Sequence, residues 1–242
     1  MELTFLGRGA GFNPGEGSTA AFFVDNGELF LIDSGESVFG TLLEGKHLDS
    51  ISALNMFITH THSDHAGSLG SLILYAYMVK KIPVNIIFDQ NMGYLSKLRV
   101  LFGIYGLKED MYRLADAAEF DGKYSLFARA RYVKTMHCNE LESCGILFET
   151  EQGLVFYSGD IHDPAPIAGI IDSGKQIDKI FVDVNNDTTP NMHHLSVHQL
   201  NGIIPAALKS RVHCMHFNNS QCIAEAQAYG FCVVSAGVPH AK

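Results

Sequence analysis

Apolar residues fall along this chain in short blocks, either alternating with polar residues or continuous, and Gly, Asn, Asp and Pro separate them. Leu3 to Leu6, Ala20 to Val24, Leu29 to Ile32 and Leu54 to Ile58 read as strands. Further strands are expected at Val84 to Phe88, Ala130 to Thr135, Gly145 to Glu149 and Leu154 to Tyr157, with a hairpin turn joining the last two. Helical spacing is expected at Leu69 to Val79, Met92 to Phe102 and Glu109 to Ala118. The C-terminal part alternates strand and helix: Lys179 to Val182, Val197 to Leu208, Val212 to Met215, Ile223 to Tyr229 and Phe231 to Val234. No repeat, low-complexity linker or long charge block interrupts this order, so one domain over residues 1–242 is expected.

Composition narrows the class. With 47% apolar and 18% charged residues, 242 residues can bury a substantial core. A strand candidate begins at Leu3, without a basic leader before it, and no apolar run is long enough to cross a bilayer. No signal peptide and no membrane partner are therefore expected. The five cysteines (Cys138, Cys144, Cys214, Cys222, Cys232) form no Cys-x-x-Cys, which suits the reduced thiols of a cytoplasmic protein. Cys138 and Cys214 read as small core filler. A net charge of −9 argues against long nucleic acid, whose binders present a basic stripe. Lys97-Leu98-Arg99 with Lys80-Lys81 is the nearest approach to one, and it reads as a solvated helix face. A small substrate suits this balance better.

The chemistry is concentrated in His60-Thr61-His62-Ser63-Asp64-His65, directly after a strand and before a helix. Such a turn presents side chains to a crevice at the end of a sheet. On extended backbone, residues two apart point the same way, so His60 and His62 can grip one ion. Asp64 and His65, displaced along the turn, can reach a second. Imidazole mixed with carboxylate suits zinc, manganese or iron. Three more polar residues close apolar strands: His137, Asp160 after Ser158-Gly159, and His216. Asp33 also ends a strand, where it could accept the free N–H of a ligand histidine. His162, two residues after Asp160, could orient it, although an ordinary role is favoured. His47, His198, His213 and His240 lack a comparable setting.

This succession (His-x-His-x-Asp-His, a lone His, Gly-Asp after a strand, a late His) resembles that of metallo-β-lactamase-fold hydrolases over nearly the whole chain. Leu3 to Gly11, Leu31-Ile32-Asp33-Ser34-Gly35-Glu36 and His194-Leu195-Ser196 resemble the ribonuclease Z branch in particular. The resemblance implies an α+β fold, a four-layer αββα sandwich of two mixed β-sheets flanked by helices. It implies two divalent metal ions, zinc first, with manganese or iron as alternatives. His60, His62 and His137 would hold one, Asp64, His65 and His216 the other, and Asp160 would bridge them. A water activated between the ions would be the nucleophile, oriented by Asp64. His194 would serve as the acid, with His193 as the alternative. Ser196 reads as the cap of the following helix.

The tRNA-processing members of that branch carry a long arm between the lone His and the Gly-Asp. Here His137 and Asp160 are only 23 positions apart, which leaves no room for it. Extra length lies instead at 91–124, a helical insert rich in aromatics: Tyr94, Phe102, Tyr105, Tyr112, Phe120 and Tyr124. These either line a pocket and stack on a ring, or cover the sheet or form a homodimer contact. Armless relatives include enzymes that open cyclic ribose phosphates and cyclic nucleotides, phage enzymes among them. The expectation is a metal-dependent phosphodiesterase acting on a small, cyclic phosphodiester. An RNA-processing nuclease of the ribonuclease Z type, a carbonyl (lactone or thioester) hydrolase and a metal-binding sensor without turnover are the alternatives.

Overall fold

The computed structural model describes residues 1–90, 92–187 and 193–236, and in it the apolar blocks build two six-stranded sheets. The first contains β1 (Thr4–Gly7), β2 (Ala20–Asp25), β3 (Glu28–Ile32), β4 (Leu54–Phe57), β5 (Val84–Phe88) and β6 (Arg113–Asp116), side by side in that order. The second contains β7 (Arg129–Thr135), β8 (Ser143–Thr150), β9 (Gly153–Tyr157), β10 (Ile177–Asp183), β11 (Val212–Met215) and β12 (Cys232–Val233). Each sheet opens as a three-stranded antiparallel meander and continues with parallel strands. Parallel neighbours need crossover connections. Helices α1 (Val38–Glu44), α2 (Ser63–Ala66), α3 (Leu69–Tyr75) and α4 (Leu95–Ile104) serve the first sheet. Helices α5 (Ala165–Asp172), α6 (Val197–Ile203) and α7 (Ser220–Ala228) serve the second. The result is the expected αββα sandwich of mixed sheets.

The side-chain period of two splits each inner strand between two cores. In β9, Leu154 and Phe156 pack with Ile167, Leu200 and Ala226 of the covering helices, whereas Val155 and Tyr157 join the cluster between the sheets. In β10, Ile180 and Val182 face the helices and Phe181 faces inward. Aromatic contacts tie the sheets together: Phe57 and Phe23 meet Phe148 edge-on at 5.5 and 5.8 Å, and Phe5 meets Phe181 at 5.4 Å. Such pairs add about 0.5–1.5 kcal/mol each beyond area burial.

Several expectations need correction. Glu109 to Ala118 is not a helix: β6 occupies its middle and pairs in parallel with β5, from Asn85–Arg113 to Phe88–Asp116. The open edge of β5 outweighs a weak local helix preference, and Asp116 then caps a short 3-10 turn, Ala117–Phe120. The helix expected over Val197 to Leu208 stops at Ile203, because Pro205 holds Ile204 in extended backbone. Leu69 to Val79 ends in a π-type turn, Ala76–Lys80. Helices α1 and α5 had no counterpart in the sequence reading. The insert is only partly helical, and its aromatics, apart from the exposed Tyr105, turn inward. Tyr94 is buried and donates its hydroxyl to the Ile58 carbonyl at 2.8 Å, Phe102 packs on Tyr112, and Phe120 and Tyr124 pack on Phe30. Covering the sheet is the use the structure shows. Asn91, where the insert was expected to begin, and His240 lie outside the described residues.

Ser196 caps α6 as expected. Its hydroxyl accepts from Gln199 N at 3.1 Å, and the Gln199 side chain accepts from Ser196 N at 3.0 Å. Ser196→Ala is expected to cost about 1 kcal/mol, a fall of roughly 2–4 °C in Tm, measurable by thermal melting. Among the described residues, no helix is long and apolar enough to cross a membrane.

Candidate metal centre

The site lies where strands of both sheets end. Asp33 follows β3 and is fully buried, with φ of 66°. Its carboxylate accepts from Thr59 N and Thr59 Oγ1, both at 2.8 Å, and from His65 Nδ1 at 2.9 Å. One carboxylate therefore holds the ring of His65, the kind of role expected of Asp33, and also fixes the segment that delivers His60. Burial pushes this carboxyl up, against the pull of His65 and Thr59. His62 is the cap residue of α2, which carries Asp64 and His65 in a single turn. Gly35 lets that turn sit close, since a Cβ there would lie 1.9 Å from the Asp64 carbonyl oxygen.

The other sheet supplies His137 after β7, Asp160 after β9, Asp183 at the end of β10 and His216 after β11. His216 also has positive φ, 60°, a second non-glycine residue held in the left-handed region at the site. Its Nδ1 donates to Asp183 Oδ1 at 3.1 Å, and His194 Nδ1 donates to Asp183 Oδ2 at 2.7 Å. Asp183 was missed in the sequence, although it carries the signature of Asp33 and Asp160, an aspartate at the C-terminal end of a buried strand. His162 does not orient Asp160: its ring meets the His137 carbonyl. His47 packs on Phe22 and His198 meets Tyr229. Cys214 is buried among the outer apolar residues, but Cys138 is half-buried at the cavity wall and is not core filler.

Two groups of ligating atoms converge, His60 with His62, His137 and Asp160, and Asp64 with His65, Asp160 and His216. Within each, the atoms lie within 4.8 Å of one another. Asp160 belongs to both: Oδ1 is 3.1 Å from His65 Nε2 and 3.5 Å from His216 Nε2, and Oδ2 is 3.5 Å from His137 Nε2 and 3.8 Å from His60 Nε2. A third group, Asp160, Asp183, His194 and His216, is already tied by the two Asp183 hydrogen bonds.

Tautomers test whether these groups fit a cation. His65 and His216 spend their Nδ1 protons on Asp33 and Asp183, and His137 spends its own on the His193 carbonyl at 2.6 Å. Thr59 donates its one hydroxyl proton to Asp33, so the 3.1 Å contact with His60 requires a proton on His60 Nδ1. In the neutral rings, the form that ligates, all four Nε2 atoms are then lone pairs. They converge on other ring nitrogens: His62 Nδ1 lies 3.0 Å from His60 Nε2 and 3.1 Å from His137 Nε2, and His65 Nε2 lies 3.3 Å from His216 Nε2. Asp160 Oδ1 is buried and accepts no hydrogen bond. Converging buried lone pairs need positive charge, and this donor set fits divalent metal. Burial depresses His60, His62 and His137, which favours the neutral form that ligates. Burial acts the same way on His65 and His216, but nearby carboxylates, Asp160 foremost, outweigh it, and His216 is pushed up to about 10. Metal binding there is coupled to proton release. For Asp64, burial is outweighed by hydrogen bonds from His216 and His65, which hold its carboxyl well below the usual range.

The groups floor a cavity of about 740 Å³, lined among others by Phe12, Ser63, Cys138, Asn185, His193, His194 and Asn218. The aromatics of the insert do not line it, and neither Lys nor Arg does among the described residues.

The model of the anti-Pycsar protein Apyc1 family matches residues 1–235. The chain belongs to this family. The anti-Pycsar protein Apyc1 of Bacillus phage 010DV004 is 29% identical over 244 residues, covering 91% of this chain and 90% of that one. Among solved structures, the metallo-β-lactamase-fold protein YhfI of Bacillus subtilis superposes with a TM-score of 0.72 at 16% identity, covering 98% of this chain and 97% of that one. The short form of human tRNase Z gives 0.66 at 19% identity, with 97% and 96% covered. These likenesses establish the metallo-β-lactamase fold. With the family and the donor set, they make this chain a metal-dependent hydrolase.

Proposed function

We propose that the protein is a dinuclear-metal phosphodiesterase acting on a small cyclic phosphodiester. The observation that carries this is the pair of donor groups sharing Asp160 at the floor of a cavity of about 740 Å³. In this reading His60, His62 and His137 ligate one cation, Asp64, His65 and His216 the other, and Asp160 both. Two such cations, zinc first with manganese or iron as alternatives, would supply an acidified water and the positive charge that a phosphoryl group meets. Asp64, ionised and at the cavity floor, accepts a hydrogen bond from the attacking water. Asp183 orients His194 through Nδ1 and raises its proton affinity against the effect of burial, so His194 can protonate the departing oxygen. His193 lines the same cavity; the hold of Asp183 on the His194 ring favours His194 for the acid role.

Glu36, Glu140 and Asp187 line the same cavity. With the net charge of −9, these carboxylates weigh against a polyanionic RNA and for a substrate with one phosphate. Ser63 and His194 offer a hydroxyl and a cationic imidazole to a phosphoryl oxygen, which favours phosphodiester over carbonyl hydrolysis. The test is turnover by zinc- and manganese-loaded protein on a panel of cyclic mononucleotides, a thioester and a lactone. Cleavage of a cyclic nucleotide is expected; cleavage of the carbonyl substrates alone would refute the reading.

The acid role gives a separate prediction. His194→Ala is expected to slow cleavage of a cyclic nucleotide, whose leaving group is an alkoxide, by about 10²–10⁴-fold. Bis-p-nitrophenyl phosphate, whose phenolate departs unprotonated, should lose less than about tenfold. Equal losses on both substrates would remove His194 from proton transfer.

A further inference from the structure

Phe102 and Phe120 of the insert cover the first sheet with bare rings, but Tyr94 brings a hydroxyl into the interior. Tyr94 precedes α4 and is buried, its ring edge-on to Tyr132 at 6.5 Å. Its hydroxyl donates to the carbonyl of Ile58, two residues before His60, at 2.8 Å. The ladders on either side of β4 end at Phe57, which pairs with Ile32 and with Ile87. The segment that runs on to His60 is therefore held by other contacts. Asp33 takes the Thr59 N–H and hydroxyl, Cys144 N donates to the Thr59 carbonyl at 3.1 Å, and Tyr94 takes the Ile58 carbonyl. Ile58 is fully buried, and a buried backbone carbonyl needs a donor.

We propose that Tyr94 is a positioning residue for the metal centre: through the Ile58 carbonyl it sets the placement of His60, so the insert tunes the cation held by His60, His62 and His137 and not the one held by Asp64, His65 and His216. This rests on the dinuclear reading above and deepens it. His60 is fully buried, and its Nδ1 meets Thr59 Oγ1 at 3.1 Å, so a backbone shift at 58–59 carries the ring with it. The second group hangs on other anchors, Asp33 for His65 and Asp183 for His216. Partners that orient metal ligands set affinity by about 10–100-fold. The aromatics of the insert do not line the cavity, so this control acts on the metal from behind and without contact to substrate.

Tyr94→Phe keeps the ring and removes the donor. Tyr124→Phe is the control: it also removes one hydroxyl from the insert, the one that donates at 2.8 Å to Glu28, at the start of β3 and away from the site. In zinc-loaded protein titrated with a chelator, Tyr94→Phe is expected to hold one of its two ions about 10–100-fold more weakly and the other unchanged, and Tyr124→Phe to hold both as before. Double variants assign the weakened ion. Added to His216→Ala, Tyr94→Phe should weaken the ion that remains; added to His62→Ala, it should not. Equal weakening of both ions, or of neither, would overturn the proposal. Hydrogen exchange of the Thr59 amide in metal-free protein gives a readout independent of zinc. It should be about tenfold faster in Tyr94→Phe than in Tyr124→Phe, and equal rates would also overturn the proposal. If the unsubstituted protein binds fewer than two zinc ions, the dinuclear reading fails, and the exchange rates still decide whether Tyr94 holds the segment before His60.

Discussion

Asp160→Ala is expected to be the most damaging single change in the centre. Its two oxygens face different ligand groups, so one substitution removes a donor from each. Metal per chain should fall from about two to below one after desalting, and hydrolysis should fall at least about a thousandfold. Asp160→Asn separates charge from volume: it keeps the shape but cannot neutralise two cations, so it should behave nearly as badly. If either variant retained full metal content by atomic emission, Asp160 would not be the shared ligand. The loss should be catalytic more than structural. Asp160 is a buried carboxyl without a hydrogen-bond partner for Oδ1, and its removal relieves an unsatisfied acceptor.

The second large effect is expected at Gly35, which touches no ligand through a side chain. A methyl group there would lie 1.9 Å from Asp64 O and 2.5 Å from Ser18 Cβ. The first obstacle is backbone and cannot rotate away, so α2 must shift, carrying Asp64 and His65 with it. Gly35→Ala is expected to cost about 1–3 kcal/mol or more, seen as a lower Tm, and to weaken metal binding by the group that contains Asp64 and His65. Gly202→Ala is the control. It lies within α6, with no atom within 4 Å of the added carbon, and should stabilise by about 0.4–1 kcal/mol. A Gly35→Ala protein with unchanged melting and metal content would show that the close packing of the turn after β3 against α2 does not hold the site.

Legibility in the sequence followed the range of the physical signal. His60, His62, Asp64 and His65 were readable because their spacing on one strand-to-helix turn is itself the geometry. His137, Asp160 and His216 were readable because each closes an apolar strand, and the structure brings all seven together. Asp183 closes β10 in the same way but lacks a neighbouring histidine in sequence; its partners, His194 and His216, are 11 and 33 positions away. The strand β6 was misread because four residues carry too little periodicity to outweigh nearby helix formers. Its pairing with β5 is a tertiary fact. Aromatic content in the insert left ring recognition, sheet covering and a dimer contact open; it took the structure to show that these residues, Tyr105 apart, pack inward on the sheet.

The most direct test of the dinuclear phosphodiesterase is a titration of metal-stripped protein with zinc, and separately manganese, that follows cleavage of a cyclic mononucleotide at each addition. The account predicts activity that rises to a plateau at about two equivalents per chain. A plateau at one equivalent would contradict the shared-carboxylate centre, and two equivalents bound with no cleavage of any cyclic nucleotide would contradict the proposed function.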